Sequence, residues 1–274
     1  MALRILSLGA GVQSSTLALM IEHGEIPMVD AAIFADVKGE PKKVYEWLEY
    51  LKTKVTSYPI HVVTYRDLKQ DLLDIANGTG KVIPIPFFTI DDKGKKGMMR
   101  RQCTADYKIK PVTSKIRELL GLKKGEKRKA GTKVELLMGI SQDEISRMKT
   151  NQIKYIQNVY PLVEKKMRRS DCITWMEDNF YPTPPRSACT FCPFHSNEEW
   201  KRVKENKEEW DEIIALEKLL LKNKDKIAEA TGMKSQIFLH RSCKSVNEID
   251  FEQEDKQGDF FYGMENECEG MCGN

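Results

Sequence analysis

Apolar residues along this chain fall into short runs separated by stretches with helical spacing. Leu3–Leu8 reads as a buried strand that feeds a helix over Ser14–His23, and Val29–Phe34 is a second apolar run ending at Ala35-Asp36. Lys42–Thr56 then repeats apolar positions every three to four residues, with Val44, Trp47, Leu48, Leu51 and Val55 on one face. Ile60–Thr64 predicts a third strand and Leu68–Ile75 a short helix. Pro111–Leu120 and Val134–Ile140 predict a further helix and strand. This β-α-β-α-β alternation predicts an α/β protein with a doubly wound, mainly parallel sheet covered by helices on both faces. Downstream, Asp171–Asn179 reads as a short helix, followed by the stiff loop Tyr181-Pro-Thr-Pro-Pro-Arg186. Ser196-Asn-Glu-Glu199 reads as a capping box opening a charged helical stretch to about Glu229. The last forty residues read as polar and irregular apart from Ile237–His240. The expected division is an α/β unit with its cysteines over 1–195 and a helical extension with a cysteine-bearing tail over 196–274.

Composition narrows the class. Hydrophobic residues make up 41% and charged residues 31%, which suits a globular protein with a substantial core. With 44 basic and 41 acidic residues the formal charge is only +3, too balanced to argue for nucleic acid by itself. No apolar stretch approaches a membrane span. Residues 3–21 superficially resemble a signal peptide, but Gln13, Ser14 and Ser15 fit a loop better and no cleavage pattern follows. The expectation is a cytoplasmic protein without a membrane partner, whose seven cysteines are metal ligands, reactive thiols or core filler rather than disulfides.

Charge is locally uneven. Leu122–Lys133 carries Lys123, Lys124, Lys127, Arg128, Lys129 and Lys133. Such a run reads either as a solvated loop or as a contact with a polyanion, including nucleic acid.

Candidate chemistry lies in three places. Gly9-Ala10-Gly11-Val-Gln13-Ser14-Ser15 joins the first strand to the first helix. It is neither a Walker loop nor a dinucleotide fingerprint. It reads either as a tight packed turn or as an anion site built from backbone N–H groups and small hydroxyls at a helix N-terminus. Cys189-Thr-Phe-Cys192 lets two thiolates reach one metal, and Cys103 sits in the basic segment Arg100-Arg-Gln-Cys103. These three can hold a [4Fe–4S] cluster, or with His195 a structural zinc. Spacing does not separate the two. The tail pair Cys268 and Cys272 reads as a redox pair, a nucleophile or a bland end. Asp36 and the stretch Gly139 to Arg147 fall at strand carboxyl ends, where ligands collect in open α/β sheets. Arg147 reads as a cation for phosphate or sulfate, or as a surface ion pair.

In order, these segments resemble the phosphoadenosine phosphosulfate (PAPS) reductase family within the PP-loop, adenine-nucleotide α-hydrolase-like superfamily. Gly9-Ala-Gly-Val-Gln-Ser14 is a variant of the PP-loop pattern Ser-Gly-Gly-x-Asp-Ser, with Gln13 in place of aspartate. Phe34-Ala-Asp36, Gly139 to Arg147, Tyr160-Pro-Leu-Val, Asp171–Trp175 and Pro182–Cys192 follow the order of later family segments. The resemblance covers about residues 3 to 195. It implies a HUP-like fold and an adenine nucleotide (ATP, APS or PAPS) held by Ser7, Gly9, Ala10, Gly11, Gln13, Ser14, Ser15, Asp36 and Gly139. It also implies a [4Fe–4S] cluster on Cys103, Cys189 and Cys192, although Gln102-Cys103 replaces the family's Cys-Cys pair. Glu267-Cys268 resembles the start of the family's Glu-Cys-Gly-x-His tail, and Glu269 breaks that pattern. In a sulfonucleotide reductase Cys268 attacks sulfur, Arg147 steadies the anion, and a thioredoxin-like donor restores the thiol. The alternatives are an ATP-dependent sulfurtransferase that adenylates and thiolates a nucleic acid bound through 122–133, and a non-catalytic nucleotide-binding protein with a structural zinc.

Overall fold

The computed structural model describes residues 2–252. In chain order its first elements are β1 (Leu3–Leu8), α1 (Val12–Glu22), β2 (Ala31–Ala35), α2 (Lys42–Lys54), β3 (Ile60–Val63) and α3 (Leu68–Ala76). Two short strands follow, β4 (Phe88–Ile90) and β5 (Lys96–Met98), then a π-helical segment Thr104–Ile109 that runs into α4 (Lys110–Leu119). β6 (Val134–Met138) is followed by a 3-10 segment Gln142–Arg147, β7 (Ile156–Val159), α5 (Pro161–Glu164) and α6 (Arg169–Asp178). The chain closes with α7 (Asn197–Glu205), α8 (Lys207–Lys222), α9 (Lys224–Thr231) and β8 (Gln236–Phe238).

Five strands form one parallel sheet in the order β3-β2-β1-β6-β7. Alternate residues of β1 face opposite layers, as the two-residue period of a strand requires. Leu6 and Leu8 pack with α1, α2 and α6, whereas Ile5 packs with Val112 and Ile116 of α4. α1 is therefore enclosed: every residue from Val12 to Ile21 is buried. The doubly wound α/β expectation holds. The strand order reverses between β1 and β6, so the carboxyl ends of those strands form the crevice in which such sheets bind ligands.

A second sheet, β5-β4-β8, is antiparallel and joins distant parts of the chain, with Phe88 opposite Phe238. It belongs to a core that includes Leu72 of α3, Trp200, Trp210 and Leu239, so packing is continuous across residue 195. The expected helical stretch after Ser196 is divided into three helices; Asn206 turns extended and caps α8 by accepting from the Glu209 N–H. The box at its start is half made: Ser196 Oγ accepts from the Glu199 N–H at 3.2 Å, while the Glu199 carboxylate turns to Arg186, His195 and Arg202.

Candidate functional site

At the carboxyl end of β1 the chain turns through Gly9-Ala10-Gly11 into α1. The left-handed residue is Ala10, with φ of 59°, while Gly11 is extended at φ −88°. A non-glycine residue in that region costs roughly 1 kcal/mol, so the surrounding packing enforces the turn. Ser14 braces it: its Oγ accepts from the Gly9 N–H at 3.2 Å, and its hydroxyl donates to the Gly11 carbonyl at 3.3 Å. α1 begins without a side-chain cap and without an acidic residue in its first turn. Its first N–H groups therefore lack intrahelical partners and carry the positive end of the helix dipole.

The neighbouring strand end presses on this turn. A Cβ on Gly139 would lie 2.7 Å from both N and Cα of Ser14, so only glycine lets β6 run this close to α1.

Gln13 is fully buried and has a fixed role. Its Oε1 accepts from Arg169 Nη1 at 2.7 Å, and its Nε2 donates to Glu144 Oε2 at 3.2 Å, with Ser141 Oγ at 3.4 Å. Glu144 in turn pairs with Arg147 at 2.6 Å. The amide thus bridges a carboxylate and a guanidinium, which neither an aspartate nor an asparagine would reproduce at that length. Arg169, the first residue of α6, escaped sequence reasoning; its only signal is the doublet Arg168-Arg169 before a helix.

Two expected ligands are otherwise engaged. Ser15 Oγ accepts from the indole of Trp47 at 2.8 Å and locks α1 to α2. The Asp36 carboxylate accepts from the Lys38 N–H and the Tyr45 hydroxyl and pairs with Lys38 Nζ at 2.8 Å. That hydrogen bond and charge raise the Lys38 pKa, and burial followed by the Asp36 charge raises that of Tyr45. Asp36 shapes the β2–α2 loop.

Between Ser7, Gly9, Ala35, Glu40, Lys108 and Ser187 lies a cavity of about 10 Å³, enough for one water. One wall is a buried ion pair, Lys108 Nζ to Glu40 Oε1 at 3.7 Å, with Ser187 Oγ donating to Glu40 Oε2 at 3.1 Å. Sequence alone does not pair Lys108 with Glu40, because the π-helical segment that turns Lys108 inward has no clear sequence signature.

Ser187 leads into the cysteine turn, which is docked on the same β2–α2 loop. The Thr190 N–H donates to the Gly39 carbonyl at 2.9 Å, and a Cβ on Gly39 would meet the Phe191 ring at 2.6 Å. Cys189 and Cys192 are buried in the core that Cys103 packs against. His195 does not join them as a donor. Its Nε2 lies 3.2 Å from the Thr190 carbonyl and its Nδ1 3.3 Å from Glu199. Burial pushes Glu199 up, but the bond from His195 and the charges of Arg186 and Arg202 outweigh it and hold its pKa low. Among the described residues no three His, Cys, Asp or Glu side chains are placed to hold a metal ion. Thr104 Oγ1, directly after Cys103, and Trp200 Nε1, beside the His195 ring, are buried with no hydrogen-bond partner among the described residues. Cys268 lies outside the described residues.

No known family profile matches the chain, and no curated protein sequence matches it. No helix among the described residues is long and apolar enough to cross a membrane. Among solved structures the chain is similar to the phosphoadenylyl-sulfate (PAPS) reductase of Candida auris, crystallised as a phosphate complex. The two share 12% identity and a TM-score of 0.40, over 67% of this chain and 76% of that one. At that distance the similarity assigns no role to any single residue.

Proposed function

We propose that this protein is an adenine-nucleotide-dependent enzyme of sulfur chemistry, acting as a sulfonucleotide reductase. The observation that carries the reading is the Gly9–Ser14 turn. It presents uncapped N–H groups of a buried helix at the switch point of a parallel sheet, with Arg147 and Arg169 held behind it by Gln13 and Glu144. Such a turn suits a phosphate or sulfonate. Without a carboxylate at position 13 the loop offers no acidic ligand for a nucleotide-bound divalent cation, which favours sulfonucleotide over ATP cleavage.

In this reading the Cys268 thiolate forms a bond to the sulfonyl sulfur, the sulfur–oxygen bond to the nucleotide breaks, and the adenosine phosphate leaves. An external dithiol of thioredoxin type then releases sulfite from the Cys268 thiosulfonate and is itself oxidised to a disulfide. Cys103, Cys189 and Cys192 would hold a [4Fe–4S] cluster, which when bound supplies Lewis-acidic iron. The residues of the chain bind and orient: the α1 N–H groups receive the anion, Arg147 and Arg169 supply positive charge behind them, and the Glu40–Lys108 pair fixes the cavity wall.

The test is calorimetric titration of anaerobically prepared protein with APS, PAPS and ATP, on the wild type and on Ser14→Trp, followed by intact mass after incubation with each sulfonucleotide. The expected results are binding lost in Ser14→Trp, a sulfite adduct on the wild type, and no adduct on Cys268→Ser. Equal affinity in wild type and Ser14→Trp removes the nucleotide site. Binding without any adduct removes the reductase chemistry and leaves the sulfurtransferase reading. Iron analysis with a visible spectrum checks the cluster separately: colourless, iron-free protein would overturn it.

A further inference from the structure

The basic loop 122–133 enters none of this chemistry. It precedes β6 and so lies at the amino end of the sheet, opposite the nucleotide turn. Its backbone is shaped by fixed contacts. Arg117 Nη2 donates to the Glu126 carbonyl at 2.7 Å, the Thr132 hydroxyl donates to the Lys129 carbonyl at 2.7 Å, and Glu126 Oε2 accepts from the Lys123 N–H at 2.9 Å. The loop's one acid is thus aimed at backbone. All six of its cations are exposed, and none forms an ion pair among the described residues. By contrast, exposed Lys38, Lys110 and Lys207 pair with Asp36, Asp106 and Asp211.

The loop also has a continuation. Arg128 lies over the Tyr155 ring at 5.2 Å, and the Val134 N–H donates to the Tyr155 carbonyl at 2.8 Å. Tyr155 ends the segment 148–155, which crosses from the carboxyl end of β6, next to Arg147, to the amino end of the edge strand β7. That segment contains exposed Lys149 and Lys154 and no acid. It is held in place where the Lys149 carbonyl accepts from the Tyr160 hydroxyl and from Asn158 Nδ2 at 2.7 and 2.9 Å.

We propose that loop 122–133 and segment 148–155 form one docking stripe for the phosphodiester backbone of a nucleic acid, leading from the amino edge of the sheet to the nucleotide turn. The stripe interleaves cations with Asn151, Gln152 and Tyr155, whose amides and ring suit sugars and bases. It is carried by a loop and a sheet edge rather than by an amphipathic helix, the element that would suit a lipid surface. This surface stands independently of the sulfur chemistry proposed above.

The experiment is fluorescence anisotropy of the full chain with end-labelled single-stranded RNA and DNA of about 20 nucleotides, over about 50 to 300 mM salt. Four to six neutralised phosphates predict log K falling with log salt at a slope of roughly −3 to −4. Lys123→Glu/Lys127→Glu/Arg128→Glu is expected to weaken binding at least about tenfold, and Lys149→Glu/Lys154→Glu to weaken it by a similar factor. Lys207→Glu/Lys222→Glu on α8 is expected to leave it unchanged. All the substituted side chains are solvent-facing, and melting curves check that each variant folds. Loss in the loop variant alone overturns the continuous stripe. Equal loss in the α8 variant, absence of oligonucleotide binding, or binding to phosphatidylserine vesicles instead overturns the assignment to nucleic acid.

Discussion

The contact between Gly139 and Ser14 makes a sharp prediction for Gly139→Ala. The added methyl would stand 2.7 Å from the Ser14 N and Cα, and both are backbone atoms of a fully buried helix that cannot rotate away. Restoring an ordinary contact of about 3.4 Å requires the α1 N-terminus and β6 to separate by about 0.7 Å. Overpacking of this kind costs roughly 1–3 kcal/mol of stability. The same shift moves the uncapped N–H groups off an anion, and displacements near 1 Å in a positioned site cost up to about a hundredfold. Nucleotide affinity should therefore fall about ten- to a hundredfold, measured by calorimetry beside a urea melt. Gly24→Ala is the matched control. Gly24 has φ of 76° with nothing near its Cβ position, so alanine there costs roughly 1 kcal/mol at the far end of α1. It should lose stability and keep affinity. If Gly139→Ala binds nucleotide like the wild type, the turn is not where the anion sits. If it is also as stable, the close approach is not real.

Two further outcomes follow from buried polar groups. Gln13→Leu removes both the acceptor of Arg169 and the donor to Glu144, so the variant should lose roughly 2–3 kcal/mol in urea titrations; an unchanged midpoint would refute the bridging role. His240 is held neutral, because Nδ1 accepts from the Ser242 N–H while Nε2 faces Asn197 Oδ1. Burial, aided by Arg241, lowers its pKa from 6.5 to about 3. The depressed pKa means stability is complete above 6.5 and declines as pH falls toward 3. Between pH 7 and about 4.5 the wild type should lose roughly 2–3 kcal/mol more than His240→Gln in urea titrations, and parallel curves would refute it.

The central sheet is legible because β1, β2 and β6 are largely buried on both faces and mostly apolar, broken only by Arg4, Ser7 and Glu135, while α2 shows its one apolar face plainly. β7 was missed because an edge strand need not be apolar: Ile156-Gln-Asn-Val159 carries two amides. The small sheet was missed because its strands are three residues long and its partners lie far apart in sequence. Within the candidate site, residue type singles out the glycine turn, Gly139 and the cysteine turn, but not the contacts that hold them. The bond from Trp47 to Ser15 and those from Lys38 and Tyr45 to Asp36 join separate segments and leave no local pattern. The wall made by Lys108, Glu40 and Ser187 joins three separate segments, which no local pattern records.

The two sheets also differ in when they can exist. Every strand of the parallel sheet has been synthesised once Val159 leaves the ribosome, so the Gly9–Ser14 turn can be in place on a nascent chain. β4 must wait for β8, and the core around Cys189 and Cys192 must wait for Trp210 and Leu239. Long-range pairing of this kind is slow, and the unpaired strand edge and apolar surface are exposed in the interval. The cysteine turn is therefore open to solvent during synthesis, and closes only as the last helices dock.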